Sequence, residues 1–213
     1  MFASHAATSQ AQPVSPAPVS EPLNTAIDSR PPEISSLHKL EGANLVQALR
    51  RGGLVLFMRH AHTGLSATDS PCGGESIVSA EGKTETLAVG KAMRDIQIPV
   101  TKRLASRTCR ARQTAELLQL GSVETDESLN AVSLSPDSGL GGRRSALLNA
   151  VPPQGGNTLL VSHVHASQTP EHRLHLDLGE VIVFRPNPDG LAFPVARIKV
   201  PDWNVLLQAV GKS

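Results

Sequence analysis

Short apolar runs and segments with helically spaced apolar positions alternate along most of this chain. Residues 54–58 are continuously apolar and residues 157–162 have an apolar centre, as expected for strands that are covered on both faces. Residues 79–96 place Gly82, Thr86, Val89, Gly90 and Met93 on one face of a helix, and the two glycines predict a close approach to the sheet. The predicted helices cover 43–51, 79–96, 107–118, 143–151 and 203–210, and the predicted strands cover 54–58, 102–105, 122–125, 157–162, 179–184 and 191–200.

The order of these elements defines a fold class. Strands that alternate with helices favour a parallel sheet between two helical layers. The last two strands are joined by the turn-forming sequence at 187–190, which predicts an antiparallel pair. We therefore expect an α/β three-layer sandwich whose sheet is mostly parallel and closes with an antiparallel edge. Residues 61–78 and 126–142 are predicted to be loops that shape the substrate end of a site.

The N-terminal segment differs in composition from the rest of the chain. Residues 1–39 are rich in Ala, Pro and Ser and have no apolar periodicity, which predicts a disordered leader before a single domain at 40–213. A leader of this kind often follows a removed signal peptide. We expect a periplasmic or secreted protein, with the cytoplasm as the alternative location.

Composition excludes several classes of function. The 213 residues carry a net charge of +1 and are only 2% aromatic, so neither the charge nor the stacking platforms of a nucleic-acid binder are present. No apolar run is long enough to span a membrane. The two cysteines, Cys72 and Cys109, could form one bridge or remain two unpaired thiols.

Charged and polar side chains follow three of the predicted strands at the point where each strand ends. Arg59 and His60 follow the first strand, and His163 follows the fourth. Arg110 lies in the first turn of the helix after the second strand, for which Ser106 is the predicted N-cap. Ligands of open α/β sheets bind beyond the carboxyl ends of the strands, so these residues are expected to meet in one crevice.

Two arginines and two histidines in one crevice predict a phosphate site. A phosphate monoester carries roughly −1.5 to −2 charges at pH 7, which Arg59 and Arg110 can balance with bidentate hydrogen bonds. Neutral His60 can then attack phosphorus, while His163 stabilises an equatorial oxygen. Ser106, with Thr63 as a further hydrogen-bond donor, completes the predicted phosphate-binding set.

Three segments resemble the motifs of the histidine phosphatase superfamily, also called phosphoglycerate mutase-like. Residues 59–63 resemble its RHG signature. Residues 106–115 are similar to its second motif, Ser-Pro-x-x-Arg-Ala-x-x-Thr-Ala, with Arg107 in place of Pro. Residues 159–163 resemble its late strand-Gly-His motif, with Ser162 in place of Gly. The motifs occur in the family's order and spacing.

The resemblance implies a phosphomonoester hydrolase with a phosphohistidine intermediate and without metal or organic cofactor. His60 is then the nucleophile, Arg59, Arg110 and His163 complete the pocket, and the substrate is a phosphorylated small molecule or sugar phosphate. The leader, the Cys72 loop and the His-Val-His sequence at 163–165 further resemble bacterial envelope members, in particular the lipopolysaccharide core heptose(II)-phosphate phosphatases.

The chain departs from the family pattern at the proton donor. Family members often carry a glutamate in a Leu-x-Glu context after the second motif, but here residues 129–131 are Leu-Asn-Ala. The position after the RHG signature, often Glu, is His62. The candidates for the leaving-group acid are His165, which strand alternation favours, His62, Asp69 and Glu127.

Two other functions fit parts of the pattern. The His-x-His sequences at 60–62 and 163–165 have zinc-ligand spacing and suggest a metal-dependent hydrolase, although nearby carboxylates are scarce and two arginines would repel a cation. A non-catalytic phosphate- or phosphosugar-binding protein would also have such a pocket, and it would not need the glutamate that this chain lacks.

Overall fold

The three-dimensional structure is a computed structural model that describes residues 1, 39–65, 68–69, 71–130, 140–153, 155–167 and 173–210. Nearly all of the predicted leader and part of the predicted loop at 126–142 lie outside these residues. The helices are α1 Gly42–Arg51, α2 Ala80–Asp95, α3 Cys109–Leu117, α4 Leu140–Asn149 and α5 Asp202–Val210, with a 3₁₀ turn at Glu127–Leu129. The strands are β1 Val55–Arg59, β2 Thr63–Leu65, β3 Ser76–Val78, β4 Val100–Ala105, β5 Glu124–Thr125, β6 Asn157–Ser162, β7 His165–Ser167, β8 Arg173–His175, β9 Val181–Arg185 and β10 Phe193–Ile198.

Six of the strands form one mixed sheet in the order β10-β9-β1-β6-β4-β5. Strands β1, β6, β4 and β5 run parallel, whereas β9 is antiparallel to both β1 and β10. This arrangement confirms the predicted mostly parallel sheet with an antiparallel closing edge. None of the described helices combines the length and apolar character needed to cross a bilayer.

The central strand β1 separates two apolar cores, which explains its continuous apolar sequence. Leu56 and Met58 pack into the core under α1, α2, α3 and α5, while Val55 and Phe57 pack into the core on the opposite face. That second core includes Leu148 of α4. The sheet therefore lies between two layers, as predicted. Burying each of these side chains contributes about 1.5–3 kcal/mol.

Parallel pairing brings the ends of three strands to one edge of the sheet. Arg59 at the end of β1 is in register with Ser162 at the end of β6, and Ala105 at the end of β4 is in register with Val161. The residues that follow these strands are His60, His163 and Ser106. The fold therefore places them side by side, as the strand-to-loop pattern predicts.

The prediction that 61–78 is only a loop is wrong. Strands β2 and β3 pair antiparallel within it, from Thr63 opposite Val78 to Leu65 opposite Ser76. Each strand has only three residues, and no residue of either is fully buried, so the segment has almost no apolar alternation to detect. The antiparallel pair of β7 and β8 was not predicted either, because each of these strands also has only three residues.

Helix α4 also begins earlier than predicted, at Leu140 rather than Arg143. Gly141 and Gly142 favoured a loop at this point, because glycine is a poor helix former. The 3₁₀ turn at Glu127–Leu129 likewise occupies part of the predicted loop at 126–142. The 3₁₀ turn lies next to the end of β6, where the Ser162 hydroxyl donates to the carbonyl of Leu129.

The two buried glycines of α2 approach backbone outside the sheet, contrary to the prediction that they contact the sheet. A Cβ added at Gly82 would lie 2.4 Å from the carbonyl oxygen of His62, and one at Gly90 would lie 2.1 Å from that of Leu118. These glycines let α2 pack against the loop after β1 and against the end of α3. The position of α2 is therefore set partly by the segment that carries His62.

Replacing Gly90 by Ala is expected to destabilise the protein by about 1–3 kcal/mol, because backbone must move to admit the methyl group. The free energy of urea-induced unfolding measures the effect. Gly142→Ala is the matched control, since a Cβ there meets nothing within 4 Å and the helix should gain stability. Equal stabilities for the two variants would contradict the close approach at Gly90.

Candidate active site

His60 is held by backbone at the carboxyl end of β1. Its N–H donates to the carbonyl of Ser162 at 3.0 Å, and its own carbonyl accepts from Gly179 at 3.2 Å. The ring nitrogen Nδ1 lies 2.9 Å from the carbonyl oxygen of Ala61. A carbonyl only accepts, so Nδ1 carries the ring proton and Nε2 keeps its lone pair when the ring is neutral.

The electrostatics of the site keep His60 neutral. Burial lowers the pKa of His60 to about 4; the hydrogen bond to Ala61 opposes this shift, and the positive charges of Arg110 and Arg59 add to it. At pH 7 the imidazole is therefore uncharged, with a free lone pair on Nε2. This is the state required of a nucleophile.

Arg59 places its positively charged guanidinium at the same edge of the sheet. Its Nη1 donates to the carbonyl of Leu176 at 2.8 Å, and its backbone N–H donates to the carbonyl of Glu180 at 3.0 Å. Its Nε is buried and makes no hydrogen bond within the described part of the chain. Burial lowers the pKa of Arg59 from its usual value, but the guanidinium stays charged at neutral pH. Arg59 thus brings a fixed positive charge to this edge of the sheet.

Helix α3 brings Arg110 to the same place. Thr114, one turn further along the helix, accepts a hydrogen bond from the Ala61 N–H at 3.1 Å, and its hydroxyl donates to the Arg110 carbonyl at 2.7 Å. This bridge fixes the start of α3 against the residue that follows His60. The guanidinium Nη2 of Arg110 lies 3.3 Å from Nδ1 of His163.

His163 is the second buried imidazole of the site. Its ring centroid lies 5.4 Å from that of His60, with the two rings at 70°. Burial, as the largest cause, and the charges of Arg110, His60, Arg144 and Arg59 together lower the pKa of His163 to about 3. Like His60, His163 is neutral at pH 7. The structure therefore brings together all four residues predicted to form the pocket.

Ser106 has a different role from the predicted N-cap. Helix α3 begins at Cys109 with Thr108 as its N-cap residue, two positions later than expected. The Ser106 hydroxyl lies 3.0 Å from Nε2 of His163 and donates to the Asn130 side chain at 2.9 Å. Ser106 thus contacts the site through His163, and direct contact with phosphate stays a prediction.

Thr63 and His62 lie on the segment after His60. Thr63 is exposed at the start of β2. Nε2 of His62 lies 3.9 Å from a carboxylate oxygen of Glu85, and both side chains are partly exposed. Within the described residues, His62, Glu81 and Glu85 are the only three-residue group with metal-ligand atoms close together. That group does not include His60 or His163.

The remaining proton-donor candidates lie on three other segments. Glu127 forms an exposed ion pair with Arg107, and Asp69 is exposed in a turn. His165 begins β7, and its ring packs edge-on against that of His175 at 5.5 Å. The identity of the acid therefore stays a prediction.

Two residues next to the pocket, Arg144 and Asn130, were not predicted from the sequence. Arg144 of α4 is only 5% exposed and donates to the carbonyls of Ser128 and Asn130, at 2.9 and 2.7 Å. Burial lowers the pKa of Arg144. Asn130 accepts hydrogen bonds on its side chain from Ser106 and from the Arg107 N–H. The one sequence signal for Asn130 is its position as the middle residue of the Leu-x-Glu context. No sequence signal marks Arg144.

Cys72 and Cys109 form a disulfide, which settles the alternatives left open by the sequence. Glu75 accepts a hydrogen bond from the Cys109 N–H at 2.9 Å, and Gln113 accepts one from the Val78 N–H at 2.9 Å. The bond and these two contacts fasten the β2–β3 segment to the start of α3. They hold it beside Arg110.

Removing the disulfide by Cys72→Ser is expected to lower the free energy of unfolding by about 2–4 kcal/mol, since the bond closes a loop between residues 37 positions apart. Denaturant unfolding with and without reductant measures this loss. The double variant Cys72→Ser/Cys109→Ser should match the single one, because both lack the same bond. An additive loss, or no effect of reductant on the native protein, would contradict the pairing.

Comparison with known proteins supports the fold. No protein-family model matches the chain, and no curated protein matches it. Among solved structures, the chain is similar to the protein histidine phosphatase SixA complexed with tungstate, with 19% identity, a TM-score of 0.55, and coverage of 70% of this chain and 98% of that one. A putative phosphohistidine phosphatase SixA from Nakamurella multipartitia is 19% identical, with a TM-score of 0.50 and coverage of 68% and 95%.

A third similar structure comes from an insect. The ecdysone phosphate phosphatase from Bombix mori, in complex with tungstate, is 13% identical, with a TM-score of 0.50 and coverage of 67% of this chain and 92% of that one. These neighbours, together with the sheet order, show that the chain has the histidine phosphatase, or phosphoglycerate mutase-like, fold.

Proposed function

We propose that this protein is a phosphomonoester hydrolase that acts through a phosphohistidine on His60. The observation that carries the proposal is the protonation geometry of His60: its Nδ1 is bound to the Ala61 carbonyl, which leaves a lone pair on Nε2. Arg59, Arg110 and His163 surround this nucleophile, as a phosphoryl group requires. The similar SixA and ecdysone phosphate phosphatase structures hold tungstate, a tetrahedral oxyanion like phosphate.

The reaction follows from these positions in two displacements. Arg59 and Arg110 neutralise the bound phosphate, and Nε2 of His60 attacks phosphorus while the bond to the leaving oxygen breaks. The leaving alkoxide takes a proton and departs. Water then attacks the phosphohistidine, the N–P bond breaks, and inorganic phosphate and neutral His60 are regenerated. No step uses a metal ion.

For the leaving-group proton we propose His165, which follows His163 by two residues and is half-buried. His165→Ala should lower kcat about 10²-fold for alkyl phosphates, because general acid catalysis contributes at least that much. Aryl phosphates, whose leaving groups depart without a proton, should change little. The comparison of the two substrate classes in the variant and the wild type is the measurement. Equal losses for both classes would contradict this assignment, and His62→Ala then tests the next candidate.

A phosphatase screen in the presence of EDTA tests the proposed function. The panel contains sugar phosphates, including heptose phosphates of a lipopolysaccharide core, together with nucleotides and phosphohistidine-containing proteins. Turnover that resists EDTA is expected for at least one class. Turnover lost in EDTA would instead support a metal-dependent hydrolase, and tight phosphate binding without any turnover would support a binding protein.

We propose that the protein works in an oxidising compartment, the periplasm or the exterior of the cell. The Cys72–Cys109 bond supports this, since disulfides are rare in reducing cytosol. Labelling of free thiols in freshly lysed cells should find both cysteines blocked. Two reactive thiols in the native protein would favour the cytoplasm.

A further inference from the structure

Asn130 lies at the end of a series of hydrogen bonds that begins in the pocket. Its side-chain oxygen accepts from the Ser106 hydroxyl at 2.9 Å and from the Arg107 N–H at 3.0 Å. Its backbone carbonyl accepts from buried Arg144 at 2.7 Å. Asn130 is therefore fixed through both its backbone and its side chain.

The direction of every bond in this chain follows from the groups involved. A guanidinium can only donate, so Nδ1 of His163 accepts from Arg110. The single proton of neutral His163 is therefore on Nε2 and is donated to the Ser106 oxygen at 3.0 Å. The amide oxygen of Asn130 can only accept, so the Ser106 hydroxyl donates to it. The Thr108 hydroxyl lies 3.3 Å from the Ser106 oxygen and can donate to it without changing this order.

We propose that Asn130 is a positioning residue that fixes the proton of His163 on Nε2 through the Ser106 hydroxyl. Nδ1 of His163 then enters the phosphate pocket as an acceptor, and the site binds a phosphate group that carries one proton. This inference rests on the proposed function, whose pocket it uses. It also restricts the ionisation state of the substrate.

The restriction follows from the groups that face His163. If a phosphate oxygen takes the place of Arg110 beside Nδ1 of His163, it faces the lone pair of that nitrogen. An attractive contact then needs a proton between the oxygen and Nδ1. Arg110 from α3, Arg59 and His60 from the end of β1 and Arg144 from α4 all disfavour a charged His163 in the empty site. The pocket therefore favours an ester that brings the proton with it, as the monoanion.

The pH dependence of kcat/KM reveals which ion is bound. The rising limb should lie near pH 4, because His60 must lose its proton to act. The falling limb should lie near the second pKa of the ester, about 6, above which the monoanion decreases about tenfold per pH unit. A phosphorothioate ester, which has a lower second pKa, should move the falling limb to lower pH.

Nuclear magnetic resonance of protein with ¹⁵N-labelled histidine tests the proton position without any turnover. The wild type should show His163 protonated on Nε2. In an Arg110→Ala background, where no guanidinium donates to Nδ1, His163 should stay protonated on Nε2, and adding Asn130→Ala should give a mixture of the two tautomers. Asn130→Asp, which has the same shape and keeps the acceptor oxygen, should restore the Nε2 form. Asn149→Ala is the matched control, because that side chain binds the Asn187 N–H outside this chain of bonds.

Kinetics of the same variants test the consequence for phosphate. Asn130→Ala should lower kcat/KM about fivefold near pH 5, the value expected from loss of one hydrogen bond, and should flatten the falling limb. Asn130→Asp should keep the limb. Inorganic phosphate binding, measured across the same pH range, should follow its monoanion in the wild type.

The outcomes separate this inference from the proposed function. Wild-type His163 protonated on Nδ1, an unchanged tautomer when Asn130→Ala is added to Arg110→Ala, or binding that follows the phosphate dianion would each overturn the inference, even if the enzyme is active. Absence of turnover on every phosphomonoester would overturn the proposed function. The tautomer and phosphate-binding measurements would still decide the role of Asn130.

Discussion

Replacing His60 by Ala is expected to lower kcat by about 10⁴-fold or more on any substrate that the wild type hydrolyses. The variant lacks the Nε2 lone pair, and removal of a nucleophile costs losses of this order in other enzymes with covalent intermediates. Steady-state turnover in the presence of EDTA is the measurement. Thermal unfolding should show that the variant folds, since the backbone bonds of His60 to Ser162 and Gly179 do not need its side chain.

Lys91→Ala is the control for His60→Ala. Lys91 is exposed on α2 and forms an ion pair with Asp95 of the same helix. Its activity should stay within about twofold of the wild type, as for an ordinary surface substitution. A folded His60→Ala protein with more than about a tenth of wild-type turnover would exclude His60 as the phosphoryl acceptor.

Replacing Arg110 by Ala is expected to lower kcat/KM by about 10²–10³-fold, which is the usual cost of removing one preorganised group from a developing negative charge. Arg110→Lys should recover only part of this loss, because a lysine cannot supply two parallel hydrogen bonds to phosphate. Initial rates over a range of substrate concentrations separate the loss in kcat from the rise in KM.

Arg107→Ala provides the control for Arg110→Ala. Arg107 lies three residues earlier and forms an exposed ion pair with Glu127, and exposed pairs contribute at most about 1 kcal/mol. The variant should retain nearly full activity. Comparable losses for Arg107→Ala and Arg110→Ala would show that general positive charge, and not the placement of Arg110 beside His163, promotes the reaction.

The parts of the fold that were predictable share one physical property. Strands β1 and β6 are buried on both faces, which favours apolar residues in their sequences: four in succession in β1 and the central Leu159, Leu160 and Val161 in β6. The same property predicts the site, because Arg59, His60 and His163 follow directly where the apolar runs end. Parallel pairing of β1 with β6 then brings these residues together without further information.

The parts that were not predictable depend on contacts between distant segments. The three-residue strands β2 and β3 are stabilised by the Cys72–Cys109 bond and by Gln113 of α3, not by their own periodicity. The role of Ser106 required the position of Asn130, 24 residues away. Burial of Arg144 required the packing of α4 against the turn before Asn130, whereas its sequence context predicts an exposed arginine.

The phosphoryl adduct of the enzyme tests the central claim most directly. The protein is mixed with substrate, quenched in base within one turnover and digested, and the phosphorylated peptide is sequenced by mass spectrometry. We predict one base-stable, acid-labile phosphoryl group on His60, absent from the His60→Ala variant and unaffected by EDTA. Turnover with the phosphoryl group on another residue, or rapid single-turnover hydrolysis that never passes through a covalent adduct, would contradict the account.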